Sequence, residues 1–173
     1  YFLLNPDTFV RPGATVELVK CLEERPKAGM AGARLMYGDG RFQHSAFYFP
    51  GLSQLMFDLL PMPDRLYESR LNGRYPRSLY EQGRPFRVGH PLGAAMWVRA
   101  EAIEQAGLLD EGFHMYAEEV DWCQRMVSAG WAAYLSASFR QWPAFGSRAC
   151  CSTGSRGCTG QPMPGRSAQG LYW

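Results

Sequence analysis

The sequence predicts an α/β fold, on three observations. A short apolar run at residues 1–4 breaks at Asn5-Pro6-Asp7, as a buried strand does on entering a turn. Pro12 then opens a helix-period stretch in which Leu18, Val19 and Leu22 share a face until Arg25-Pro26 stops it. The same alternation of strand and helix returns over residues 88–135.

Each element has its own warrant. Residues 30–37 and 42–49 read as two strands around the turn Gly38-Asp39-Gly40. Residues 50–86 lose regularity: Pro61, Pro63, Pro76 and Pro85 interrupt them, and five arginines, with Arg87 just beyond, are spread among Tyr67, Tyr75 and Tyr80. A stretch of that length without regular structure is a place to bind something polar. Order resumes with a strand within residues 88–100, entered through Gly93, followed by a short helix over 101–106 with Gly107 as its cap. A second helix over 117–128 and a last strand over 132–135 complete the pattern.

Composition bounds what such a chain does. Of 173 residues 46% are apolar, which supplies a core for one domain and excludes wholesale disorder. No apolar stretch approaches the roughly 18 residues that a membrane-spanning helix needs. The net charge of +2 is unevenly placed: all 16 acidic residues lie at or before Asp121, and residues 136–173 hold four arginines and no acid. Those arginines stand singly, so they form no phosphate-tracking surface and no nucleic-acid partner is expected. Five cysteines at 21, 123, 150, 151 and 158 make neither a disulfide framework nor a zinc set, which points to a reducing compartment.

Two acidic clusters carry the candidate chemistry. In Asn5-Pro6-Asp7 a carboxylate and an amide oxygen sit at a strand end, facing the crevice where open α/β sheets bind ligands. That pair is hard-oxygen chemistry suited to Mn²⁺ or Mg²⁺ held jointly with substrate phosphates. Taken alone, the tripeptide reads as a plain turn. In Glu118-Glu119-Val120-Asp121-Trp122-Cys123-Gln124-Arg125 the helix period puts Glu118, Asp121 and Arg125 on one face and turns Glu119 about 100° away. A carboxylate beside others and shielded from water has the raised pKa of a general base, and Glu119 is the candidate. Taken alone, this cluster also reads as ordinary acid placement at a helix start. His44, His90 and His114 follow no ligand spacing, and neither a GxSxG elbow nor a P-loop occurs.

In order, the segments Leu3-Leu4-Asn5-Pro6-Asp7-Thr8, Gly32-Ala33-Arg34-Leu35, Leu92-Gly93-Ala94-Ala95-Met96-Trp97-Val98-Arg99, Gly107-Leu108-Leu109-Asp110-Glu111-Gly112-Phe113 and Met115-Tyr116-Ala117-Glu118-Glu119-Val120-Asp121-Trp122 resemble family 2 glycosyltransferases of the GT-A fold, in their rhamnosyltransferase-like branch. The resemblance covers residues 1–135. It implies a GT-A (Rossmann-like) nucleotide-diphospho-sugar transferase fold, present in part and without its N-terminal nucleotide-binding half. It implies inverting transfer of a sugar, with rhamnose among the candidates, from a nucleotide-sugar donor to a saccharide or lipid-linked saccharide acceptor. In it Asp7 and Asn5 would hold Mn²⁺ or Mg²⁺, and Glu119, with Glu118, would be catalytic. Gly93, Ala94, Asp121, Trp122 and Arg125 would bind substrate. It places the protein in the cytoplasm, with peripheral association at the inner face of the cell membrane.

Two departures shape the expectations. Relatives commonly carry Asp where this chain has Glu119. They also have a His and a Gly/Ser-rich stretch after the last strand, where this chain has Phe139-Arg140-Gln141-Trp142-Pro143. Residues 136–173 contain one Leu and no Ile or Val, so they are expected to be an irregular tail, produced by a shift of reading frame after Tyr134. A piece lacking half the donor site is expected to turn over little or no substrate by itself. The alternative from another class is a non-catalytic binding or assembly domain that kept the fold.

Overall fold

Strands and helices alternate in the computed structural model, which describes residues 1–59, 63, 66, 69–113 and 117–137. All of these lie in one compact unit, residues 1–140. The elements, in chain order, are β1 (Phe2–Leu4), α1 (Ala14–Glu23), β2 (Ala28–Ala33), β3 (Leu35–Met36), β4 (Phe42–Gln43), β5 (Ala46–Phe47), α2 (Leu52–Leu59), a 3-10 turn (Arg70–Asn72), α3 (Arg77–Glu81), β6 (Phe86–Val88), β7 (His90–Pro91), β8 (Ala95–Val98), α4 (Ala100–Ala106), α5 (Glu118–Ser128) and β9 (Ala132–Ser136).

Five strands form the main sheet in the order β1-β8-β2-β9-β6. β2 and β9 run parallel, while β1 with β8, β8 with β2 and β6 with β9 are antiparallel. This mixed α/β sheet fits a glycosyltransferase-like fold. The strand period of two separates its faces, with an irregularity between Ala28 and Met30 shifting the alternation in β2. On one face Ala28 and Ala31 pack with Leu18, Cys21 and Leu22 of α1, and Trp97 and Tyr134 lie against them. On the other, Met30, Met96, Val98, Ala133 and Leu135 meet Ala102 of α4 and Trp122, Cys123 and Met126 of α5. Helices therefore cover both faces, and the buried apolar side chains supply the main driving force.

The expected strand over 30–37 is divided. The chain leaves the main sheet after Ala33, and only Leu35 and Met36 pair with Phe42 and Gln43 as a short hairpin. The Ser45 hydroxyl accepts from the Leu35 N–H at 3.3 Å, and the Tyr80 hydroxyl accepts from the N–H groups of Ser45 (3.3 Å) and Ala46 (3.0 Å). These bonds end the expected strand over 42–49 early, leaving β5 to pair with β7.

Residues 50–86 are more regular than the prolines suggest, since α2, the 3-10 turn and α3 all fall within them. Pro76 sits at the N-cap of α3, where its missing N–H costs nothing. The boundary expected at residue 135 lies too early: Ser136 belongs to β9 and Ala137 is fully buried. The remainder of the expected tail, residues 138–173, lies outside the described residues.

Candidate functional site

The end of β1 and the start of β8 are brought together by their antiparallel pairing, Leu4 standing opposite Ala95. Beyond that pair the Ala94 carbonyl accepts the Asn5 N–H at 2.9 Å and the Thr8 hydroxyl at 3.4 Å. The Thr8 N–H donates to the Asn5 carbonyl at 3.1 Å, which closes the turn that carries Asp7. Asn5 and Asp7 are exposed there, with oxygen donors open to solvent. Thr8 was not among the candidates; its place directly after Asp7 was the available signal.

Gly93 ties this corner to α5. A methyl group in place of its hydrogen would stand 3.8 Å from Glu119 Oε1 and 3.5 Å from Met96 Cε. Burial raises the Glu119 pKa above the ordinary glutamate value, and the charge of Glu118 adds to the rise. The Glu119 and Gly93 backbone N–H groups, donating to the carboxylate, oppose it. A shielded carboxylate with a raised pKa thus lies one residue from the carbonyl that binds Asn5. Asn5, Ala94, Gly93 and Glu119 form one contiguous corner, with the Asp7 turn at its rim.

Glu118 adjoins it, with an Oε2 that is buried and has no hydrogen-bond partner among the described residues. The helix start is itself unusual: Ala117 at the N-cap holds φ 67°, a left-handed conformation costing an alanine about 1–2 kcal/mol. Nothing in the sequence announces this, because alanine has no preference for that region.

The remaining candidates are engaged within the fold. The Arg125 guanidinium bonds Asp121 at 2.8 Å and donates to the carbonyls of Ala106 and Leu108. The Trp122 indole N–H donates to the Gly107 carbonyl at 2.7 Å, and its side chain is 2% exposed. Asp121, Trp122 and Arg125 therefore fasten α5 to the end of α4, a placement that fixes the helix carrying Glu119.

For a divalent cation, the donors at the β1 turn fit by chemistry: one carboxylate and one amide oxygen, leaving room for substrate phosphates and water. Among the described residues no group of three or more His, Cys, Asp and Glu gathers as a cage of its own.

Over 127 residues the chain is 31% identical to the N-acetylglucosaminyl-diphospho-decaprenol L-rhamnosyltransferase of Mycobacterium tuberculosis strain CDC 1551 / Oshkosh, and to the same degree to that of strain ATCC 25618 / H37Rv. The chain is a distant homologue of a mycobacterial rhamnosyltransferase. The chain therefore belongs to the glycosyltransferase family of these relatives. The match takes in 73% of the chain but 41% of the rhamnosyltransferase, so the chain spans about two fifths of the length of these curated relatives. No family model matches the chain, and no solved structure matches it.

Proposed function

We propose that the corner between β1, β8 and α5 belongs to an inverting glycosyltransferase that takes a nucleotide-diphosphate sugar, with rhamnose favoured by the relatives' names, and adds it to a saccharide or lipid-linked saccharide. The observation that carries this reading is Glu119, a half-buried carboxylate of raised pKa held at Gly93 beside the Asp7 turn.

In this reading Glu119 accepts the proton of the acceptor hydroxyl. The acceptor oxygen bonds to the anomeric carbon from the face opposite the leaving group, and the carbon–oxygen bond to the diphosphate breaks, the electron pair leaving with the nucleoside diphosphate. Asp7 and Asn5 would hold Mn²⁺ or Mg²⁺, which supplies charge neutralisation for the diphosphate when bound. Gly93, lacking a side chain, leaves room for substrate to approach Glu119. Asp121, Trp122 and Arg125 act as positioning residues.

The test is donor consumption with Mn²⁺ or Mg²⁺ in a version of the protein with measurable turnover, comparing Asp7→Ala and Glu119→Gln. Loss of a base costs about 10²- to 10⁴-fold in rate. Glu119→Gln should lose that much with donor binding kept, whereas Asp7→Ala should lose metal-dependent donor binding. Full activity in either variant refutes the assignment. Retained partner binding without any turnover in the parent protein favours a non-catalytic assembly domain instead.

A further inference from the structure

Asn5-Pro6-Asp7-Thr8 forms one four-residue turn, closed by the Thr8 N–H on the Asn5 carbonyl at 3.1 Å. Pro6 stands second in it, where a turn asks for the φ that proline fixes. The turn is therefore set internally, but its seat on the sheet needs anchors of its own. At its incoming end the Asn5 N–H donates to the Ala94 carbonyl at 2.9 Å, one step beyond the Leu4–Ala95 pair of the β1–β8 ladder. At its outgoing end stands Thr8, the one half-buried side chain of residues 5–9, while Asn5, Pro6, Asp7 and Phe9 are exposed. The Thr8 hydroxyl returns to the same Ala94 carbonyl at 3.4 Å.

One carbonyl thus holds both ends of the turn. Its oxygen has two lone pairs, so the two donors need not compete. Ala94 directly follows Gly93, where a methyl group would lie 3.8 Å from Glu119 Oε1. A shift of the outgoing end of the turn therefore moves Asp7 relative to the strand that meets Glu119. The hydroxyl bond is long, and its leverage comes from its place: binding groups have to be held within about 0.5 Å of their working geometry.

We propose that Thr8 is a positioning residue, whose hydroxyl seats the Asp7 turn on Ala94 and so fixes the cation donors relative to Glu119. This rests on the transferase reading for what the turn binds. The hydrogen bonds that seat the turn do not.

The experiment is a Mn²⁺ titration of the full chain, followed by paramagnetic broadening of its backbone amide signals. Broadening is expected to centre on residues 5–8, and Asp7→Ala should abolish it there. Thr8→Val keeps the shape of the side chain and removes its hydroxyl. It should raise the Mn²⁺ concentration at half-broadening by about twofold to tenfold, the range to which the net worth of one neutral hydrogen bond converts. Thr8→Ser, which keeps the hydroxyl, should restore the parent value. Without metal, amide exchange at Asn5 should quicken in Thr8→Val and not in Thr8→Ser, with the denaturant midpoint of both unchanged. In a version with turnover, Thr8→Val should raise the donor KM and leave the acidic limb of the pH profile in place.

An unchanged Mn²⁺ response and unchanged Asn5 exchange in Thr8→Val overturn the proposal, and leave the transferase reading standing if Asp7→Ala has lost its broadening. A weakened response that follows a lowered denaturant midpoint, or that Thr8→Ser does not reverse, overturns it as well. Broadening absent from residues 5–8 of the parent chain, or surviving Asp7→Ala, removes the metal assignment of Asp7 and the proposal with it.

Discussion

Glu119 combines two opposing influences, and their balance is measurable. Burial disfavours its charged form, as does the charge of Glu118, while the Gly93 N–H favours that form. A general base works only when deprotonated, so the acidic limb of kcat/KM should lie above the ordinary glutamate range. Replacing Glu118 by Gln removes a like charge; deprotonation of Glu119 becomes easier, its pKa falls and the limb moves to lower pH. Burial is the larger cause and persists, so the limb should move only part of the way. A Glu119 carboxyl titration followed by NMR reads the same change without turnover. A limb that stays in place when Glu118 is neutralised would show that the two carboxylates are uncoupled.

At the scale of elements, close approach explains more than composition does. β2 passes so near β7 that a methyl on Gly32 would lie 2.2 Å from Pro91 Cβ and 3.0 Å from its Cγ. Neither the proline ring nor the central strand yields easily, so Gly32→Ala should cost at least about 1–3 kcal/mol in denaturant unfolding. Gly38, with nothing within 4 Å, serves as the control, and Gly38→Ala should stay within about 0.5 kcal/mol of the parent protein. Equal costs at both positions would remove packing as the reason for the small residue.

The same comparison shows which elements the sequence revealed. α1, α4 and α5 were legible because their apolar residues recur at helical spacing and their ends carry stop signals at Arg25-Pro26 and Gly107. The shortness of β3, β4 and β5 was not, since it depends on hydrogen bonds from Ser45 and from Tyr80, which is 35 residues away from Ser45. α2 escaped because the prolines from Pro61 onward made the whole of residues 50–86 read as irregular. In the candidate site the residue types at Asp7 and Glu119 were legible. The burial of Glu119 was not, because it requires a strand more than 20 residues distant to bring Gly93 against α5.

For the whole molecule, the buried histidine makes the seam between the β5–β7 pair and the core a source of acid sensitivity. His90 is 8% exposed, stacked on Phe47 at 5.5 Å and tilted against Phe49, and its Nδ1 lies 3.4 Å from the Pro91 carbonyl. Burial lowers its pKa from 6.5 to about 4, the contact with the Pro91 carbonyl opposing only weakly. The unfolded chain protonates this residue near pH 6.5 while the folded one does not. Folding stability attributable to His90 is therefore intact above about pH 6.5 and is lost as pH falls toward about 4. The shift corresponds to a loss on the order of 3 kcal/mol. Glu119 acts in the opposite direction: its raised pKa means that folding takes up a proton there, so acidification relieves a strain that neutral pH imposes. Denaturant midpoints at pH 7 and pH 4.5 separate the two contributions. His90→Gln should shrink the drop between those pH values whatever it does to stability at pH 7, because its side chain cannot titrate. Glu119→Gln should enlarge the drop, because it removes the compensating proton. An unchanged pH dependence in His90→Gln would place the acid sensitivity of the fold elsewhere.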